Sequence, residues 1–155
     1  MRLNFVYSGV YYDMLNKYSH GSYSWADVKR LGEEFEKEYS ADIDRILIEI
    51  PKVMNKNWDS NTVEVYPMSW RGPSFSHPLT LKVREDKLLM LVILAHELLH
   101  SFFMDRSHSE EEQVEREIND AVRKVFDNLD IDASAQFVIM QGMHDSRYSS
   151  EKHQQ

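Results

Sequence analysis

Apolar residues recur at helical spacing along much of this chain, beginning at Trp25. Between residues 25 and 54 they follow one another at intervals of three and four positions, as on one face of an α-helix. We therefore expect one long helix, or two abutting helices, over residues 24–57. Pro51 should kink or end its last turns, because proline removes a backbone donor.

Two shorter segments alternate polar and apolar residues with a period of two. They span residues 62–66 and 79–84, and this alternation is typical of half-buried strands. A turn-rich stretch over residues 69–78 separates them. Residues 3–8 predict a further short strand, which a stretch rich in Tyr, Ser and Gly follows up to Ser24.

The most apolar run predicts a central, buried helix. Asp86 can cap a helix over residues 87–104, and residues 88–95 are apolar on every face. After a polar connection, Ser109 and Glu112 have the spacing of a capping box for a second helix that ends near Leu129.

A last helix is expected to begin near Asp132 and end near Met143, with residues 147–155 as a frayed tail. The order of elements predicts an α+β fold, with a small mixed sheet of three or four strands packed on long helices. Residues 1–155 are read as a single domain, of which residues 144–155 form a flexible tail.

Composition narrows the classes of function. The net charge of −8 argues against a nucleic-acid partner, because no basic stripe can replace phosphate counterions. The chain has no cysteine, so disulfides and thiolate metal sites are excluded. It has no apolar stretch of membrane-spanning length, so no membrane partner is expected. Its N-terminus lacks the features of a secretory signal, so a cytoplasmic location is expected.

One motif at the end of the apolar run carries chemistry. His96 and His100 are four residues apart, so on a helix their imidazoles face the same way and can share one metal ion. Glu97 is rotated away enough to hold a metal-activated water instead of binding the metal. This spacing is the layout of a zinc hydrolase.

A catalytic zinc site also needs a third protein ligand. On the helix after Ser109, Glu115 lies along the edge of the apolar stripe, whereas Glu112 and Glu117 point away from it. Glu111 also projects inward, but acidic residues are favoured in a first helical turn by the helix dipole alone. Glu115 is therefore the first candidate and Glu111 the second.

The HELLH motif, followed fifteen residues later by Glu-Arg-Glu-Ile-Asn at residues 115–119, resembles the gluzincin clan of metallopeptidases. Within that clan it is similar to the very small minigluzincin-like proteins and to the ImmA/IrrE-type peptidases. The resemblance implies a zincin-like fold with His96, His100 and Glu115 as zinc ligands, and Glu97 as general base. It further implies that Asn119 orients a ligand histidine, and that the strand at residues 79–84 is an edge that pairs with an extended peptide.

Some positions depart from related patterns. The metzincin extension requires glycine and histidine where this chain has Phe103 and Arg106, which excludes that branch. His108 lies in the turn between helices and is read as a solvated histidine. His144 and Tyr148 are candidates for stabilising an oxyanion, and neither is assigned that role.

The sequence therefore predicts a metallopeptidase that binds one zinc ion per chain and hydrolyses a peptide or protein substrate. One alternative is a latent or catalytically silent zinc-binding regulatory protein of the same fold. Another is a helical scaffold in which the motif is accidental. The sequence leaves the oligomeric state open.

Overall fold

The computed structural model describes the backbone of residues 1–152 and the side chains of residues 1–146. Within that part of the chain there are five α-helices and one four-stranded sheet, which confirms the α+β prediction. In chain order the elements are β1 (Arg2–Phe5), α1 (Gly9–Tyr18), α2 (Trp25–Met54), β2 (Thr62–Met68), β3 (Phe75–Ser76), β4 (Leu79–Lys82), α3 (Lys87–Leu99), α4 (Glu111–Asn128) and α5 (Ser134–Lys152).

The sheet is mixed, with strand order β1-β2-β4-β3. β1, β2 and β4 are parallel, and β3 runs antiparallel to β4 with Ser76 opposite Leu79. The prediction that residues 79–84 form a free edge is therefore wrong, because β4 lies between β2 and β3. The chain before β4 folds back along it, and Lys82 N donates to Ser74 Oγ at 3.0 Å.

α3 is the centre of the molecule. Every residue from Leu89 to Leu99 is buried, and the helix packs against α2, α4, α5 and β4. Asp86 caps it by accepting a hydrogen bond from Leu89 N at 3.0 Å, and Gln136 of α5 donates to the same carboxylate at 3.2 Å. The α-helix ends earlier than predicted, and residues His100–Phe103 form a 3₁₀ turn.

The capping box before α4 also differs from its prediction. Ser107 and Glu110 exchange the side-chain to backbone hydrogen bonds, not Ser109 and Glu112. A short 3₁₀ segment, His108–Glu110, therefore precedes α4. The sequence contains overlapping serine and glutamate pairs, and the tight turn after Met104 selects the earlier pair.

The two ends of the chain contain more helix than was predicted. α1 occupies part of the stretch before Ser24, with Ser8 Oγ accepting from Tyr11 N at 3.1 Å. α5 was expected to end near Met143 but continues to Lys152, while residues 153–155 lie outside the described part. In the described residues, no helix combines the length and apolarity needed to cross a membrane.

Candidate metal centre

Three helices bring polar side chains together inside the apolar core. His96 and His100 come from the end of α3, Glu115 and Asn119 from α4, and His144 from α5. His96 is 4% exposed, and Glu115 and Asn119 are each 7% exposed. Burying so many polar groups is costly unless each finds a partner or a metal ion.

The atoms of the motif and of Glu115 form a tight triangle. His96 Nε2 and His100 Nε2 are 3.2 Å apart. The carboxylate of Glu115 lies across both rings, with Oε2 3.0 Å from His96 Nε2 and Oε1 3.2 Å from His100 Nε2. Ligands of a tetrahedral zinc ion lie about 3.3 Å apart when each bond is about 2.0 Å. The three groups therefore have nearly the spacing that zinc requires.

Asn119 fixes the protonation of two histidines at once. Its Oδ1 lies 3.0 Å from His96 Nδ1, and because a carbonyl oxygen only accepts, Nδ1 of His96 carries the proton. The neutral ring then presents a lone pair at Nε2, as a metal ligand must. The amide nitrogen of Asn119 donates to His144 Nδ1 at 3.1 Å, so in neutral His144 the proton is on Nε2.

One buried oxygen is left unsatisfied by this arrangement. Glu115 Oε2 is inaccessible to solvent and has no hydrogen-bond partner, although His96 Nε2 lies 3.0 Å away. With the proton of His96 on Nδ1, a lone pair faces a carboxylate oxygen. A cation between the two atoms would turn this unfavourable contact into two coordinate bonds, so the donor set fits a metal ion.

The electrostatics of Glu115 agree with this fit. Burial raises the pKa of its carboxyl, but hydrogen bonds and positive charge from the rings of His100 and His96 lower it more whenever their Nε2 atoms carry protons, and the pKa then falls well below the usual range. Glu115 is therefore an anion at neutral pH. A buried anion flanked by imidazoles suits a divalent cation.

His144 enlarges the group beyond the predicted residues. Its Nε2 lies 3.6 Å from Glu115 Oε2, and the ligand atoms of His96, Glu115 and His144 all lie within 4.8 Å of one another, close enough to hold a metal ion. His144 was noted in the sequence but given no role, since its place in the site depends on how α5 packs. The side chain of Tyr148, the other unassigned candidate, lies outside the described residues.

The other candidates lie at the surface. Glu111 is exposed and pairs with His108 at 3.4 Å, so the expectation that it points inward is wrong. The added 3₁₀ segment places it at the first residue of α4, on the outer face. His108 is 96% exposed, as expected of a solvated turn histidine. Glu112 pairs with Arg116 on the surface, and Glu117 with Arg106.

Glu97 lines two separate cavities. On one side is a cleft of 330 Å³ with apolar walls that include Trp58, Tyr66 and Leu98. On the other side is a small cavity of 50 Å³, which His96 and His144 also line. Glu97 is itself largely buried. A substrate in the cleft would therefore meet this carboxylate next to the histidines.

Comparisons with protein-family models, with curated proteins and with solved structures found no match to this chain. The function is therefore inferred from the residues of the site alone.

Proposed function

We propose that the protein is a zinc-dependent peptidase of zincin-like fold, with a site of the gluzincin type. The observation that carries this proposal is the contact between His96 Nε2 and Glu115 Oε2, which are 3.0 Å apart. The lone pair of the nitrogen faces a buried carboxylate oxygen that has no hydrogen-bond partner. A site built only for stability would place a proton there. Two groups that bind the same metal ion must have no proton on the atoms that face the ion, here His96 Nε2 and Glu115 Oε2.

We infer that His96, His100 and Glu115 hold the ion. His144 is the competing third histidine, but the hydrogen bond from Asn119 to its Nδ1 leaves a proton on Nε2, the atom nearest Glu115. Coordination through that atom would require the opposite tautomer and would break this bond. His100 carries no such constraint from Asn119.

When bound, zinc supplies Lewis-acid activation of a water molecule and of the substrate carbonyl. Glu97, between the cleft and the histidines, accepts the proton of the attacking water at its carboxylate and passes it to the leaving amine nitrogen. His144 presents its Nε2–H toward the same space, where it can donate to the oxygen that becomes negative as the tetrahedral centre forms. The apolar walls of the cleft exclude bulk water and strengthen these interactions.

A latent or catalytically silent zinc-binding protein is the second candidate. It is favoured by the small volume of the cavity beside His96, 50 Å³, which Met140 and Met143 of α5 help to line. If α5 does not move, a bulky substrate would reach the site only from the larger cleft.

The first test of the proposal is the metal content of histidine variants. His100→Ala should lose zinc, measured by mass spectrometry of the purified protein's metals, whereas His144→Ala should keep one zinc per chain. Zinc retained in His100→Ala but lost in His144→Ala would make His144 the ligand instead.

The second test separates an enzyme from a silent binding protein. Glu97→Gln keeps the shape of the side chain but removes the base, so zinc content should be unchanged while peptide hydrolysis falls roughly 10² to 10⁴-fold. Wild type and variant at equal zinc occupancy are given a mixed peptide library, and products are identified by mass spectrometry. Equal cleavage by both refutes the role of Glu97, and cleavage by neither favours the second candidate.

A further inference from the structure

Arg84 lies two residues after the end of β4 and is half-buried beside the candidate metal centre. It lines the cavity of 50 Å³ together with His96, Glu97 and His144. The remaining walls are largely apolar and include Ile93, Met140 and Met143. A guanidinium group in this position is partly stripped of water.

This guanidinium makes no close ion pair with a described carboxylate, although Asp86 lies near enough to attract it. Its Nε is buried without a hydrogen bond, and among the side chains that the structure describes no carboxylate forms an ion pair with it. The neighbouring carboxylate of Asp86 is already engaged, since it accepts from Leu89 N and from Gln136 Nε2. By contrast, other arginines of the described chain, such as Arg106 and Arg116, form ion pairs with glutamates at the surface.

An unpaired, partly buried charge costs free energy. Arginine is also the side chain best suited to a carboxylate, because its planar fork of N–H donors matches the two oxygens. In a protein with a net charge of −8, a half-buried guanidinium that lines a cavity with Glu97 and forms no close ion pair marks a place for an anion of the substrate.

We propose that Arg84 binds the C-terminal carboxylate of a peptide substrate, so that the protein removes residues from the C-terminal ends of peptides. This inference rests on the proposed peptidase function. The cavity that Arg84 lines is the smaller of the two beside Glu97, so it suits the last residue of a chain better than a longer segment. The cleft of 330 Å³ on the other side of Glu97 accommodates the N-terminal remainder of the peptide.

The binding test uses three probes and calorimetry. The probes are N-acetyl-alanyl-leucine, its C-terminal amide, and N-acetyl-alanyl-glutamic acid amide, whose only carboxylate is on the side chain. Zinc-loaded and metal-free wild type should both bind the free acid at least about tenfold more tightly than either amide. Arg84→Gln should lose this preference, and Arg84→Lys should keep part of it.

The control is Arg2→Gln, which is exposed on β1 and lines neither cavity and should bind all three probes as wild type does. Arg84→Gln should remain folded with unchanged zinc content, and its melting temperature should not fall, because an unpaired buried charge is removed. Equal binding of acid and amide by wild type, or a preference that survives in Arg84→Gln, overturns the proposal. Tight binding of the glutamic acid amide overturns the assignment to the chain terminus.

Cleavage provides a readout that separates this proposal from the peptidase function itself. Wild type should shorten free-acid peptides from the C-terminus and leave their C-terminal amides at least about tenfold less cleaved. Cleavage that depends on Glu97 but ignores amidation would contradict the role of Arg84 and leave the peptidase standing. Without any zinc-dependent cleavage the peptidase fails, while the metal-free calorimetry still decides the anion site.

Discussion

At the scale of single residues, Asn119 is the group on which the site's chemistry depends most. Its side-chain amide contacts both His96 and His144. The amide oxygen accepts a hydrogen bond from His96 Nδ1, and the amide nitrogen donates one to His144 Nδ1. The amide therefore gives the two histidines opposite tautomers. His96 presents a lone pair at Nε2 and His144 an N–H group, although both Nε2 atoms lie near Glu115.

Asn119→Ala should weaken zinc affinity about 10 to 100-fold, because the ring of His96 loses the bond that holds its orientation and tautomer. Competition with a fluorescent chelator measures the affinity. The matched control on the same helix is Asn128→Ala, whose side chain bonds Glu49 at the surface and should not affect zinc. Equal zinc affinity in Asn119→Ala and wild type would show that Asn119 does not position the ligand.

The sequence predicted some of these residues, and physical reasons separate them from the rest. His96, Glu97 and His100 are close together in the sequence, so their spacing at the end of a buried apolar helix predicted a site. Glu115 followed from its angle to the apolar stripe of α4. His144 and Arg84 join the site through the packing of α5 and the end of β4, which no local pattern encodes.

At the scale of elements, the junction between α3 and α4 determines how Glu115 faces the histidines. The 3₁₀ turn His100–Phe103 ends the first helix, and the capping box of Ser107 and Glu110 begins the second. Sequence periodicity located both long helices, but it does not distinguish an α-helical from a 3₁₀ turn. α1 was missed because it lies in a stretch that was read from its Tyr, Ser and Gly content as irregular, and β3 because it has only two residues.

Ser107→Ala should destabilise the protein by about 1 kcal/mol, since it removes the side chain that caps the start of this segment. For a chain of this size the melting temperature should fall by roughly 2 to 4 °C. Ser109→Ala, at the position that the sequence favoured, should cost less. A larger loss in Ser109→Ala would place the cap where the sequence suggested and not at Ser107.

Another element-scale prediction concerns Tyr7, which follows β1 and donates to Glu36 of α2. Burial and then this hydrogen bond raise the pKa of the phenol above its ordinary value of 10.0. The folded-state pKa is raised, so the stabilisation is fully present below pH 10 and is lost as the pH rises further, where the unfolded chain ionises.

Tyr7→Phe should therefore be less stable than wild type by about 1 kcal/mol at pH 8, and the difference should shrink above pH 10. Urea unfolding between pH 8 and pH 11 measures it. Tyr18→Phe, at an exposed position, is the control and should follow wild type throughout. A difference that stays constant with pH would mean that the hydroxyl contributes nothing through its ionisation.

At the scale of the whole molecule, the candidate metal centre brings together residues of three helices that the polypeptide connects only through loops. Because the ligands come together only in the folded chain, bound zinc adds to folding stability. Free zinc at about 100 times its dissociation constant should add about 2.7 kcal/mol. The melting temperature should then fall by roughly 5 to 10 °C when a chelator is added.

Scanning calorimetry with and without chelator checks this shift. In Glu115→Gln the chelator should have little effect, because one ligand is missing. An unchanged melting temperature in wild type protein shown to contain zinc would mean that the ion is bound at the surface and not between the helices.

The two cavities that Glu97 lines differ in the second charged residue of their walls. Glu64 lines the larger cleft, and Arg84 lines the smaller cavity. A short peptide is itself a dipole, with an ammonium group at one end and a carboxylate at the other. Such a molecule would align in this field whatever its side chains, while a long chain would feel the field at only one end. If the proposed peptidase function holds, the site would then discriminate among substrates by their length more than by their sequence.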